Sequence, residues 1–217
     1  MLEFVVKIIG AFIPGICLLT YFYLKDSDQP EPLRLILKMF VAGGLIVFPL
    51  IILQSIFNQY FHGMFMQSFF VSGLSEEFVK WALVYFLIFN HVEFDEHFDG
   101  IVYSVATAAG FATVENIFYI FLEQGDVVAI IWNRAFLPVS AHVLFGVTMG
   151  YYFGKMKLKR HRFFGIMSLT VPVLFHGFYN SIIYWSNWLA TVIIVMFMIF
   201  LWLFNINRMN VALKNYV

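Results

Sequence analysis

Long apolar runs alternate with short polar connections along the whole chain. Seven runs stand out: Leu2–Leu24, Leu35–Phe57, Phe65–Phe89, Phe98–Leu122, Val127–Phe153, Phe163–Tyr184 and Trp188–Ile206. Each is close to the roughly 20 apolar residues that carry a helix across hydrocarbon, where every backbone N–H and C=O must be bonded within its own segment. The runs are continuous rather than alternating, which predicts helices and not a transmembrane barrel. The first run could pass for a signal peptide. However, it carries Glu3 and Lys7, and no small-residue cleavage site precedes Lys25, so it is expected to be a retained span. The pattern therefore predicts an all-α, polytopic transmembrane helix bundle of about seven spans, forming one integral-membrane domain over residues 1–217.

The connections add an orientation. Lys25, Arg34 and Lys38 flank the first; Lys155, Lys157, Lys159, Arg160 and Arg162 crowd the fifth; Arg208 and Lys214 lie in the tail. Seven alternating spans put all three places on one side. Because positive loops stay inside, the N-terminus is expected outside and the C-terminus in the cytoplasm. The third connection, HVEFDEHFDG, is acidic and is expected to be a solvated loop on the cytoplasmic side.

Composition agrees with the pattern. The chain has 217 residues, 62% hydrophobic and 12% charged, about half the charge of an ordinary soluble domain. This excludes a soluble globular protein, a disordered chain and a nucleic-acid binder. Lys+Arg and Asp+Glu both total 13, so net charge indicates no acidic or basic partner. The lone Cys17 excludes a disulfide framework and a cysteine metal knuckle.

Ionisable residues inside the runs are the main anomaly. The third run holds Glu76, Glu77 and Lys80, the fourth Glu115 and Asn116, the fifth Arg134 and His142, and the sixth His176 and Asn180. A charge near the bilayer centre costs about 2.5–3.5 kcal/mol on insertion scales, so five cost on the order of 10 kcal/mol. Such residues are expected to face one another inside the bundle and mark a site. Glu76 and Lys80 are four apart, as are His176 and Asn180, which puts each pair on one helix face. Arg134, Pro138, His142, Gly146, Gly150 and Gly154 repeat the same step, a ridge that lets a neighbouring helix approach closely. In the expected orientation these residues form a site opening to the outside.

Three glutamates against Lys80 and Arg134 leave one carboxylate without a fixed cation. With two histidines near, that carboxylate suits a general base acting on water, and Asn180 with a histidine could donate to an oxyanion. The set describes a hydrolase with no serine or cysteine nucleophile. Taken singly, each residue has a plainer explanation: Glu76–Lys80 as a register-fixing ion pair, Asn116 and Asn180 as interhelical links, a histidine as a satisfied interior group. Two other classes compete. One is a proton- or solute-coupled transporter, disfavoured because no pseudo-symmetric halves are seen; the other is a non-catalytic membrane scaffold of the same fold.

The motifs Glu76-Glu77-Phe78-Val79-Lys80, Phe111-Ala112-Thr113-Val114-Glu115-Asn116, Arg134 with Pro138 and His142, and His176 with Asn180, together with FDEHFDGIVY, resemble the PrsW intramembrane proteases over nearly the whole chain. That family is related to the CaaX prenyl-endopeptidase superfamily. The resemblance implies a multi-pass protease of the bacterial cytoplasmic membrane that makes the site-1, extracytoplasmic-side cut in a single-pass anti-sigma factor. It implies Glu76 as the base activating water, Glu77 as its support, and His176 with Asn180 at the oxyanion. The CaaX relatives have a histidine where this chain has Glu115, so either His142 takes that place in space or Glu115 pairs with Arg134. Two histidines and several glutamates could ligate zinc. Yet HExxH is absent and Lys80 opposes a dication, so no cofactor and a metal-free glutamate mechanism are expected, with zinc left open.

Overall fold

The computed structural model describes residues 2–26, 29–185 and 187–214, and every regular element among them is helical. They are α1 (Leu2–Lys25), α2 (Leu33–Leu45), α3 (Val47–Tyr60), α4 (Ser75–Leu87), α5 (His97–Leu122), α6 (Val127–Arg134), α7 (Ser140–Lys159), α8 (Arg162–Tyr184) and α9 (Trp188–Lys214). Two π-helical segments, Met66–Leu74 and Ala135–Val139, run directly into α4 and α7. Joined end to end, the elements make seven rods matching the seven expected runs. Six are long and apolar enough to cross a membrane: Glu3–Lys25, Leu33–Tyr60, His97–Leu122, Val127–Lys159, Arg162–Tyr184 and Trp188–Lys214. The seventh, Met66–Leu74 with α4, falls outside that set because it carries Glu76, Glu77 and Lys80.

Three expected runs are broken. The second divides at Ile46, just past Gly43 and Gly44, whose missing side chains weaken a helix. The fifth passes through a π segment at Pro138, which brings no N–H to the turn before it. The third begins with nine π-helical residues, where Ser75 Oγ donates back to the Val71 carbonyl. Helix starts follow ordinary capping chemistry. Asp126 accepts from the Val128 and Ala129 N–H groups at 2.8 and 3.1 Å, and Asp99 folds back to accept from Asp95 and Glu96 at 2.9 and 2.6 Å.

Helix α5 is the axis of the bundle, packed against α1, α2 and α7. Its almost complete burial explains its lack of an apolar stripe, since a helix surrounded by neighbours needs no polar face. The glycine ridge of α7 meets it as expected: a Cβ on Gly150 would overlap the Gly100 carbonyl, and one on Gly154 the His97 backbone. Large apolar side chains such as Leu122, Met196 and Leu203 point outward, the surface a lipid-facing bundle requires.

The acidic connection departs from expectation. His97 and Asp99 are buried rather than solvated, because Asp99 joins Asp26 and Glu31 in a group of three buried carboxylates, with the Tyr103 hydroxyl donating to Glu31. This group lies at the basic end of the bundle, where Arg208 reaches the Tyr151 hydroxyl and Lys157 donates to the Phe89 carbonyl.

Candidate active site

Toward the other end, four rods bring their polar residues together. Glu76 lies one residue into α4 where the π segment ends; Glu115 and His176 lie about two turns from the ends of α5 and α8. Arg134 closes α6, and the π segment that follows turns His142 inward beside it. A cavity of about 220 Å³ is lined by Ser72, Glu76, Glu115, Tyr119, Arg134, Pro138, His142, Phe145, His176, Tyr179, Asn180 and Ile183, with Ala141. Of the nine residues singled out from sequence, six line it: Glu76, Glu115, Arg134, His142, His176 and Asn180. Glu77, Lys80 and Asn116 stand behind and hold them.

Lys80 Nζ donates to Glu77 Oε1 at 2.6 Å and lies 3.1 Å from His142 Nδ1, with the Phe111 ring 4.3 Å away. Lysine has only donors, so His142 Nδ1 must be the acceptor; the ring proton is then on Nε2, which donates to Glu115 Oε2 at 3.0 Å. His176 Nδ1 donates to Glu77 Oε1 at 2.8 Å, which fixes the ring and turns Nε2 toward Glu76 Oε2, 3.7 Å away. Phe145 stacks on that ring. Arg134 lies 3.7 Å from Glu115 Oε2, donates from Nε to Asn116 Oδ1 at 2.7 Å and covers the Tyr119 ring, while Asn116 donates to the Ala11 carbonyl at 3.2 Å. Thus Glu115 meets Arg134, the pairing the sequence left open, and also His142, which the sequence suggests only as standing in its place.

Each of the two adjacent glutamates has one buried oxygen without a hydrogen-bond partner among the described residues; they differ in what the other oxygen meets and in that Glu76 alone lines the cavity. Glu77 is engaged by a lysine and a histidine. Glu76 accepts from Gln54 Nε2 at 3.0 Å through Oε1, but its buried Oε2 has no hydrogen-bond partner among the described residues, with the Nε2 atoms of His142 and His176 at 4.0 and 3.7 Å. Sequence reasoning missed Gln54, an isolated amide in the apolar run LIILQSIF that could have been weighed as Asn116 was. It also missed Tyr179, which nothing in the sequence distinguishes from ten other tyrosines.

The arrangement agrees with the chain's relatives. The family model described as PrsW family intramembrane metalloprotease matches residues 31–204. The chain belongs to the PrsW family. It is 43% identical over 199 residues to Protease PrsW of Geobacillus kaustophilus (strain HTA426), covering 87% of this chain and 84% of that one. Against Protease PrsW of Bacillus subtilis (strain 168) it is 42% identical over 205 residues, 92% of each. The counterpart from Clostridioides difficile (strain 630) is 33% identical over 205 residues, 89% of this chain and 86% of the relative. No solved structure matches significantly. This PrsW-family chain is a multi-pass membrane protease of bacteria.

The family's description implies a metal. Glu76, His142 and His176 bring donor atoms within 4.8 Å of one another, and a glutamate with two histidines is a catalytic zinc set. Glu76 Oε2 is available, and His176 has the carboxylate behind it that metal-bound histidines use. His142 does not fit. Its Nε2 carries the proton given to Glu115, and moving that proton to Nδ1 would set an N–H against the Lys80 ammonium. As placed, these residues offer two donors to an ion, not three.

Proposed function

We propose that this chain is an endopeptidase making the extracytoplasmic-side cut in a single-pass anti-sigma factor, with Glu76 as the base that activates water. The observation that carries it is the unpartnered, buried Oε2 of Glu76 at the wall of the cavity, with two histidines turned toward it. The whole chain acts as one domain. Its basic end, with Lys155, Lys157, Lys159 and Arg160, faces the cytoplasm, so the N-terminus and the cavity end face out.

Glu76 Oε2 takes a proton from water, and the hydroxide oxygen bonds to the scissile carbonyl carbon. Glu77 holds the His176 ring through Nδ1 and turns its Nε2 toward the reacting centre. The Asn180 amide, with His176 Nε2 beside it, holds the oxyanion. When the carbon–nitrogen bond breaks, Glu76 returns its proton to the leaving amine. His142, oriented by Lys80 and Glu115, is a positioning residue.

The test is co-expression of wild type, Glu76→Gln and His176→Ala with a doubly tagged single-pass anti-sigma factor from the same bacterium. All three should accumulate equally, with cleaved fragments only from wild type. Cleavage by Glu76→Gln would overturn the assignment. Because Glu76, His142 and His176 converge, the metal reading has its own arm. Purified wild type should keep its activity in 1,10-phenanthroline, whereas loss restored by added zinc would make these three residues ligands.

A further inference from the structure

A second cleft, of about 560 Å³, opens beside the catalytic cavity and shares a wall with it: Arg134, Pro138, Tyr179 and Ile183 line both. Its far side is apolar, from Ile130, Leu137, Ile182 and Ile194, and its mouth carries Asn187 and Thr191. The size is that of a ligand pocket. One feature of the shared wall calls for a polar partner. The Tyr179 hydroxyl, on a residue 4% exposed, has no hydrogen-bond partner among the described residues, whereas the neighbouring Arg134 Nη2 is 3.7 Å from the Glu115 carboxylate. Tyr179 lines both cavities. Pro138, in the same wall, leaves the preceding turn short of one N–H.

We propose that this cleft is the substrate groove, holding an extended apolar stretch of peptide beside the scissile bond, with Tyr179 donating to one of its backbone carbonyls. The inference rests on the peptidase function proposed above. A peptide supplies what the wall lacks: a carbonyl acceptor for Tyr179, an N–H donor toward the proline-interrupted turn, and side chains for the isoleucine-rich side. A lipid tail would fill the apolar side and leave the Tyr179 hydroxyl unpaired. The unwound form follows from the same contacts, because a helical substrate has its backbone groups already bonded.

The test places the photo-crosslinking residue p-benzoylphenylalanine at Thr191, exposed at the mouth, in the Glu76→Gln chain, with the doubly tagged anti-sigma factor as probe. The control position is Met196, 65% exposed on the same helix and outside the cleft. An adduct with the anti-sigma factor at 191 and not at 196, reduced several-fold by Tyr179→Phe, is expected. No adduct at 191, an equal one at 196, or an adduct with phospholipid alone would overturn the groove. In the active chain, Tyr179→Phe and Thr191→Trp should each raise KM several-fold with kcat nearly unchanged, while a fall in kcat at constant KM would place Tyr179 in the chemistry instead. Crosslinking needs no turnover, so an adduct without cleavage by wild type would sink the peptidase function and leave the groove standing.

Discussion

Glu76 and Glu77 are neighbours in sequence yet lie in opposite electrostatic situations, and a helix makes this possible by turning successive side chains about 100° apart. Glu77 points back to Lys80 and His176, and both members of the Glu77–Lys80 pair are 1% exposed. A buried pair is of doubtful net benefit as a pair, but removing one partner strands the other charge, at a cost of about 3–5 kcal/mol. Lys80→Met should therefore lower the melting temperature of the detergent-solubilised protein and its accumulation in membranes. Lys80→Met with Glu77→Gln should recover much of the loss without restoring cleavage, since His176 and His142 both lose the contacts that orient them. Recovery of cleavage in the double variant would show that neither contact matters to the chemistry. The membership of this cluster was legible in the sequence because charge is so costly in hydrocarbon that each intramembrane charge identifies itself. The division of labour between the two glutamates was not, because it depends on which atoms on other rods they meet.

At the scale of elements, the glycine spacing predicted the close approach of α7 to another helix, and the structure supplies the partner: Gly146, Gly150 and Gly154 face Ser104, Gly100 and His97 of α5. The contact sets the depth at which His142 meets Glu115, since each side chain projects from one of the two helices. Gly150→Ala should destabilise the bundle by about 1–3 kcal/mol, the range for overpacking a dense core, and lower activity more than accumulation by parting the two helices. Thermal unfolding with parallel cleavage measurements checks this, and unchanged values for both would mean that the helices slide without cost. The breaks within the rods were hidden. An uninterrupted apolar run satisfies the hydrophobic pattern whether its backbone closes on the fourth or the fifth residue, so the π segments before α4 and α7 left no mark except Pro138. Those segments aim Glu76 and His142 into the cavity, and the site is correspondingly the part that spacing alone described least well.

Across the whole molecule, the end opposite the site is closed by a group the sequence pattern placed in solvent. Asp26 at the end of α1, Glu31 before α2 and Asp99 at the start of α5 meet out of water, and the Tyr103 hydroxyl donates to Glu31. The chain reaches Asp99 through an acidic connection whose local composition resembles any solvated loop; only the return of the first connection onto α5 buries it. Burial, reinforced by the charges of Asp99 and Asp26 and opposed by the Tyr103 hydrogen bond, raises the Glu31 carboxyl from 4.5 to about 9. Folded protein thus holds a proton that the unfolded chain releases near pH 4.5. Because the native state binds more protons, this group's contribution to stability is fully present below pH 4.5, declines as pH rises, and is lost by about pH 9. The melting temperature in detergent should fall across that window. Glu31→Gln keeps an uncharged side chain of the same shape and cannot ionise, so it should flatten the decline and raise the melting temperature at pH 8 above that of wild type. Tyr103→Phe should leave the slope in place, because it removes a contact that opposes the shift and not the burial that causes it. A Glu31→Gln profile parallel to wild type would show that the carboxyl stays ionised in the folded protein, and that a retained proton on Glu31 is not what makes stability fall with pH.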